Sequence, residues 1–200
     1  MRPIPLRIVK VGGSLLDWPQ LGGALRKWLE LAPPATNVLI GGGGKFAAAV
    51  RAADVQHTLG GPRAHWLAID TMSITAQLVA HLVDVEPVTD YRVLEVQHSE
   101  PRTIVFDPAP FLRQIEPELP GTTLPASWDV TSDSIAARLA IVLAADELVL
   151  LKSQSPPGNH QETIEPSRLA ELAAMLYVDR FLPRLAAELS RVRAVNLRAQ

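Results

Sequence analysis

The chain has no cysteine, which excludes a disulfide scaffold, a thiolate metal site and a cysteine nucleophile together. Its lysines are few and separated, and 19 basic against 21 acidic residues give a net charge of −2. Without a basic stripe, neither a nucleic-acid backbone nor an anionic membrane is the expected partner. No apolar run approaches the length of a membrane span. Near the N-terminus Arg7, Lys10 and the following glycines interrupt what would otherwise be a signal-type apolar stretch. These absences predict a soluble cytoplasmic protein. The histidines at positions 57, 65, 81, 98 and 160 form no H-E-x-x-H pair and no G-x-S-x-G elbow exists, so no structural metal and no serine triad are expected. At 200 residues and 48% hydrophobic content, residues 1–200 suit a single globular domain with a substantial core.

What is present is a pair of glycine loops. Ile8-Val9-Lys10-Val11 runs into Gly12-Gly13-Ser14, and Val38-Leu39-Ile40 runs into Gly41-Gly42-Gly43-Gly44-Lys45. A β-rich run that breaks into glycines and then a helical segment presents bare backbone N–H groups at a helix start, which is how proteins seat an anion. A lysine stands beside each loop. The spacing is not that of a Walker A loop, because Phe46 occupies the hydroxyl position, and no G-x-G-x-x-G fits.

Taken in order, the first loop passes into a helix-like segment and then a helix over 21–31, stopped by Pro33-Pro34. A strand at 38–40 and an alanine-rich helix over 46–55 complete a β-α-β-α opening, which argues for a parallel sheet covered on both faces. A long helix is predicted over 63–83, strands over 91–96 and 103–106, and irregular chain with a short helix near 111–115 where five prolines fall between 108 and 125. A helix reaching Ala145, a strand over 148–152, a polar loop over 153–163, helices over 167–175 and 178–189 and a last strand over 192–197 follow. A polar loop of that length is a candidate functional element.

Lys10-Val11-Gly12-Gly13-Ser14, Gly41-Gly42-Gly43-Gly44 and Thr131-Ser132-Asp133-Ser134-Ile135-Ala136-Ala137 resemble the three signature segments of the amino acid kinase superfamily, in its order and across roughly residues 7–152. Within it, His65-Trp66-Leu67-Ala68-Ile69-Asp70-Thr71-Met72 and the segment from Trp128 to Ser134 resemble the small kinases of methanofuran biosynthesis, which act on an aminomethylfuran-methyl phosphate. The resemblance implies a three-layer αβα sandwich with a mainly parallel open sheet. It also implies an ATP-dependent kinase for a small anionic acceptor, with Mg2+ arriving on the nucleotide, and a homodimer. It places Lys10, Asp133 and Lys152 in the catalytic set and Gly12, Gly13, Ser14, Lys152 and Ser153 at the nucleotide. Gly41, Gly42, Gly43, Gly44, Lys45, His65, Asp70, Thr131 and Ser132 fall on the acceptor side.

Each of these residues also has a plainer reading. Lys10 and Lys152 could be strand-end lysines, His65 a helix-end histidine, and Asp133 a first-turn acid behind a Ser132 N-cap. Two departures from the superfamily stand out. The Asp-Gly-Val-Tyr type of segment expected after Lys152 is replaced by Ser153-Gln154-Ser155-Pro156-Pro157-Gly158, and no late glycine-methionine-lysine segment follows residue 170. A catalytically weak or inactive relative that binds a nucleotide or metabolite as a sensor or assembly subunit is therefore the alternative to a working kinase.

Overall fold

The computed structural model describes residues 4–96, 99–158 and 162–200. In chain order the elements are β1 (Leu6–Val11), α1 (Leu21–Leu31), β2 (Thr36–Gly41), α2 (Gly44–His57), α3 (Gly61–Val83), β3 (Pro87–Val88) and β4 (Arg102–Phe106). They continue with α4 (Ala109–Gln114), α5 (Ser132–Val142), β5 (Glu147–Lys152), β6 (Thr163–Ile164), α6 (Leu169–Ala174) and β7 (Val192–Asn196). The strands form one seven-stranded sheet in the order β3-β4-β2-β1-β5-β7-β6, with every pair parallel except β6 against β7.

The central strands are buried on both faces, as a parallel sheet between helical layers requires. β2 is buried at all six positions and β1 at every position after Leu6. Strand side chains alternate between faces. Ile8, Val38, Ile40, Leu148 and Leu150 pack with Ile69, Met72 and the α5 residues Ile135 and Leu139, while Val9, Val11, Leu39, Val149 and Leu151 pack with Leu21, Leu25 and Trp28 of α1. α3 serves both clusters, its first half on the α5 side and Ala76, Val79 and Ala80 on the α1 side. It is long and apolar enough to cross a membrane; the residues just named lie in the core, while Leu67 and Ile74 are exposed.

Two expected elements are different in kind. No strand spans 91–96: the chain makes a 3-10 turn at Tyr91–Val93, where the Asp90 carboxylate accepts the Arg92 N–H at 3.0 Å. The aromatic and branched residues that suggested a strand serve packing instead, with Tyr91 stacked on Phe111 at 4.9 Å between ring centres. Gln97 and His98, which follow it, lie outside the described residues. Over 178–189 the helix reduces to a 3-10 segment at Leu182–Glu188, because Asp179 turns inward to accept the Leu182 N–H at 2.9 Å and Pro183 has no N–H to give. Smaller differences follow the same logic. The segment straight after the first loop is one 3-10 turn, Gly13–Leu15, and the end of the polar loop pairs as β6.

The proline-rich stretch is held by one buried cation. Arg138 of α5, fully buried, donates to Glu116 Oε1 at 3.0 Å and to the carbonyls of Pro120 and Leu119 at 2.8 and 3.0 Å. Removing the carboxylate with Glu116→Ala leaves a buried guanidinium with carbonyls alone. The expected loss is about 3 kcal/mol or more, read as a lower urea midpoint at an unchanged denaturant slope.

Candidate active site

The site lies at the carboxyl ends of the parallel strands. β1 and β2 are neighbours, with Val11 opposite Gly41, so both glycine loops leave the sheet side by side. The Gly12 N–H donates to Leu151 O and the Gly42 N–H to Val11 O, each at 2.9 Å. The loops then touch: a Cβ on Gly13 would stand 2.6 Å from Gly44 N, closer than any side chain tolerates. Gly44 also has φ +53°, left-handed backbone that glycine adopts without penalty. A Cβ on Gly42 would meet Ser132 Oγ at 2.9 Å, which brings the start of α5 to the same point. The first N–H groups of α2 have no intrahelical acceptor and face this junction.

The charge is organised around Asp133. Lys10, near the end of β1, places Nζ 2.9 Å from Oδ1, and Lys152, at the end of β5, places Nζ 2.7 Å from Oδ2 and 2.8 Å from the Tyr177 carbonyl. Both Asp133 and Lys10 are buried. Oδ1 has no aligned hydrogen bond among the described residues, so the Lys10 charge is what satisfies it. Burial pushes the Asp133 carboxyl up, but the two ammonium groups outweigh it and hold it well below the usual carboxylate range. Burial draws the Lys152 ammonium down to about 8, the charge of Lys10 adding to the effect and Asp133 opposing it.

Asp179 completes the frame. Its carboxylate accepts the N–H groups of Thr131 and Ser134 at 2.9 and 2.8 Å and both hydroxyls of those residues. It therefore caps α5 from a distant segment. The N-cap position belongs to Thr131 rather than to Ser132, which is the first helical residue. Burial, and then the nearby Asp133 charge, raise the Asp179 pKa against these hydrogen bonds. With its proton given to Asp179, the Thr131 hydroxyl can accept from a ligand but not donate to it.

Beside the loops opens a chamber of about 680 Å3 lined by Gly13, Gly43 and Gly44, by α2 and α3, and by Trp128, Val130, Thr131, Ser132 and Ile135. Its walls are mostly apolar, with His65, Ile69 and Met72 sharing one face of α3. His65 Nδ1 lies 3.0 Å from Ser127 O; a carbonyl only accepts, so Nδ1 carries the proton. Burial lowers the pKa of His65, the Ser127 contact opposing and Arg113 adding to the shift. The ring is thus neutral near pH 7 and Nε2 carries a lone pair.

Two residues expected on the acceptor side are not brought in. Lys45 is exposed and turned to Asp17 at 3.3 Å. Asp70 is exposed and paired with Arg113, whose guanidinium lies 4.6 Å over Trp66; it stands about 100° around the helix from Ile69, away from the chamber. Ser14 and Ser153 do meet, Oγ to Oγ at 2.9 Å, joining the first loop to the chain after β5. Asp179, Tyr177 and Arg51 were not signalled by any motif or spacing. Among the described residues no group of three or more His, Asp or Glu side chains is placed to hold a metal ion.

Asp133→Asn leaves two ammonium groups facing an amide, and at pH 7 the expected loss is about 3 kcal/mol. The folded-state pKa of Asp133 lies below its unfolded value near 3.8, so the stabilisation is complete above that pH and is lost as pH falls toward the folded value. The gap between the thermal melts of the two proteins should begin to close below about pH 4 and narrow further as pH falls; a constant gap would assign the loss to packing.

No protein-family model matches the chain. A [5-(aminomethyl)furan-3-yl]methyl phosphate kinase from Methanocaldococcus jannaschii is 28% identical over 157 residues, covering 72% of this chain. The match spans 64% of that relative's own length, just under two thirds. In structure, the uridylate kinase of Archaeoglobus fulgidus superimposes with a TM-score of 0.64 at 14% identity over 94% of this chain and 89% of the other. The UMP kinase of Bacillus anthracis gives 0.63 at 13% over 98% and 89%, and a carbamate kinase from Giardia lamblia bound to AMP-PNP gives 0.53 at 13% over 98% and 94%. With its parallel sheet, its order of strands and helices, and two glycine loops meeting at the strand ends, this chain has the fold of the amino acid kinase superfamily.

Proposed function

We propose that this protein is an ATP-dependent kinase that transfers the γ-phosphoryl group to a small acceptor carrying phosphate or carboxylate. One observation carries the reading: two lysines from neighbouring parallel strands are fixed on a single buried carboxylate, beside two glycine loops in van der Waals contact. Two ammonium groups share one carboxylate, and the next carboxylate, Asp179, is engaged by Thr131 and Ser134, so an anion entering here meets fixed positive charge. Phosphoryl transfer between anions asks for positioning and fixed positive charge rather than for a strong base.

In this reading the Gly12–Ser14 backbone and Ser153 hold the donor phosphates, and Gly42 to Gly44 with Ser132 receive the acceptor's oxygen. That oxygen forms a bond to the γ-phosphorus as the bond to the β–γ bridging oxygen breaks, its electron pair leaving on ADP. Lys10 faces the transferred group and Asp133 keeps both lysines aimed. Magnesium would arrive on phosphate oxygens and water. The M. jannaschii relative is named for an aminomethylfuran phosphate, and that compound is the first acceptor to try. The neutral His65 would accept a hydrogen bond from its amine at Nε2.

A nucleotide- or metabolite-binding sensor or assembly subunit without turnover is favoured by one feature: Lys45 turns away, leaving Lys10 and Lys152 as the cations fixed at Asp133. Calorimetry with ATP-Mg beside an ADP-release assay over phosphate and carboxylate acceptors separates the readings, since a sensor binds without acceptor-dependent ADP.

Two outcomes follow for a kinase. Lys10→Met should lower kcat about a hundredfold, roughly 3 kcal/mol of transition-state stabilisation, while weakening ATP binding less. Above pH about 8 the free enzyme loses the Lys152 proton, and with it attraction for phosphate. The profile of kcat/KM for ATP should therefore fall above about pH 8, and that of kcat should fall at higher pH because bound phosphates favour the ammonium.

A further inference from the structure

Two cavities share a wall. The 680 Å3 chamber and a second cavity of about 380 Å3, which reaches Asp133, Lys152 and Tyr177, are both lined by Arg51, Trp128 and Thr131. Arg51 is the one charged side chain on the lining of the larger chamber among the described residues. It lies on α2, nearly two turns beyond Gly44, and helical side chains lean toward the helix N-terminus, so its guanidinium is carried back toward the glycine loops.

The guanidinium sits 4.0 Å over the Trp128 ring. That ring is itself fixed, its indole N–H donating to Asp54 Oδ2 at 2.9 Å, while Asp54 Oδ1 accepts the Gly60 N–H at 3.0 Å. The other carboxylates around the shared wall are engaged as well: Asp129 faces Arg180, Asp133 holds the two lysines, and Asp179 caps α5. Among the described residues Arg51 therefore rests on an aromatic face and on no carboxylate. An exposed cation–π contact is weak beside a charge-assisted hydrogen bond to a phosphate oxygen, so an anion entering the chamber takes the guanidinium from the ring.

We propose that Arg51 reads the acceptor's anionic group, and that the acceptor is a phosphate monoester whose remaining body lies along the apolar wall formed by α2, α3 and Trp128. The assignment of this chamber to the acceptor rests on the kinase reading; the pairing of Arg51 with an anion does not. It also offers a third cation near the site, where Lys45 turns away.

The test uses calorimetry with phenyl phosphate, with benzyl alcohol as the neutral counterpart, on wild type, Arg51→Gln and Arg51→Lys. Arg51→Gln should bind phenyl phosphate at least tenfold more weakly, Arg51→Lys should recover part of the affinity because a point charge replaces a fork, and benzyl alcohol should not distinguish the three. ATP-Mg affinity should change less than twofold, and the melting temperature of these exposed-site variants should hold. Equal phenyl phosphate affinity in wild type and Arg51→Gln, or none in wild type, overturns the proposal. ATP-Mg that binds none of the proteins counts against the kinase reading, and the phenyl phosphate ratio still decides Arg51.

Discussion

The structure turns on one buried carboxylate between two ammonium groups. Burying an ion costs several kcal/mol even after the surroundings relax, and Asp133 meets that cost with Lys10 on one oxygen and Lys152 on the other. The three residues come from β1, α5 and β5, so the same contacts that satisfy the charge fix the helix on the sheet. They also fix the electrostatics. The cluster gathers two ammonium groups where the strands end, and burial, with the Lys10 charge adding to it, lowers the pKa of Lys152, a shift that a bound anion would oppose.

The surrounding elements keep this cluster in register. Asp179 ties the start of α5 to the chain that follows α6, and the Tyr177 carbonyl two residues earlier accepts a second hydrogen bond from Lys152. On the other side the glycine loops approach so closely that neither could carry a side chain at Gly13 or Gly44. Backbone donors, two lysines and the start of α2 thus converge at the strand ends. A mostly apolar chamber opens between α2 and α3 beside these loops.

Much of this could be read in the sequence where local rules dominate. The buried runs of β1 and β2 end in glycines, and α1 has both its apolar period and its proline stop, so these elements fall where expected. Lys10, Asp133 and Lys152 were visible as strand-end or helix-start charges, but that one carboxylate serves both lysines is a tertiary fact. The segment 91–96 has the composition of a strand and none of the pairing, because Asp90 closes a turn and Tyr91 is needed against Phe111. Asp179 caps residues 45 and 48 positions away, beyond any local motif. Arg51 is the single arginine of an alanine-rich helix, and only the fold lays Trp128 beneath it. Asp70 fails for a rotational reason, one residue being enough to turn a side chain out of the chamber.

Lys10, Asp133 and Lys152 form a preassembled charge cluster, which the proposed kinase would use to hold polyphosphate. The chain has four lysines, few enough for their side-chain carbons to be followed individually by 13C NMR after isotope labelling, with assignment by substitution. The measurement is the titration of Lys152 with and without ATP-Mg. The account predicts a midpoint near 8 for the free protein that moves upward when nucleotide phosphates bind. A midpoint at the ordinary lysine value near 10.5, unmoved by ATP-Mg, would contradict it.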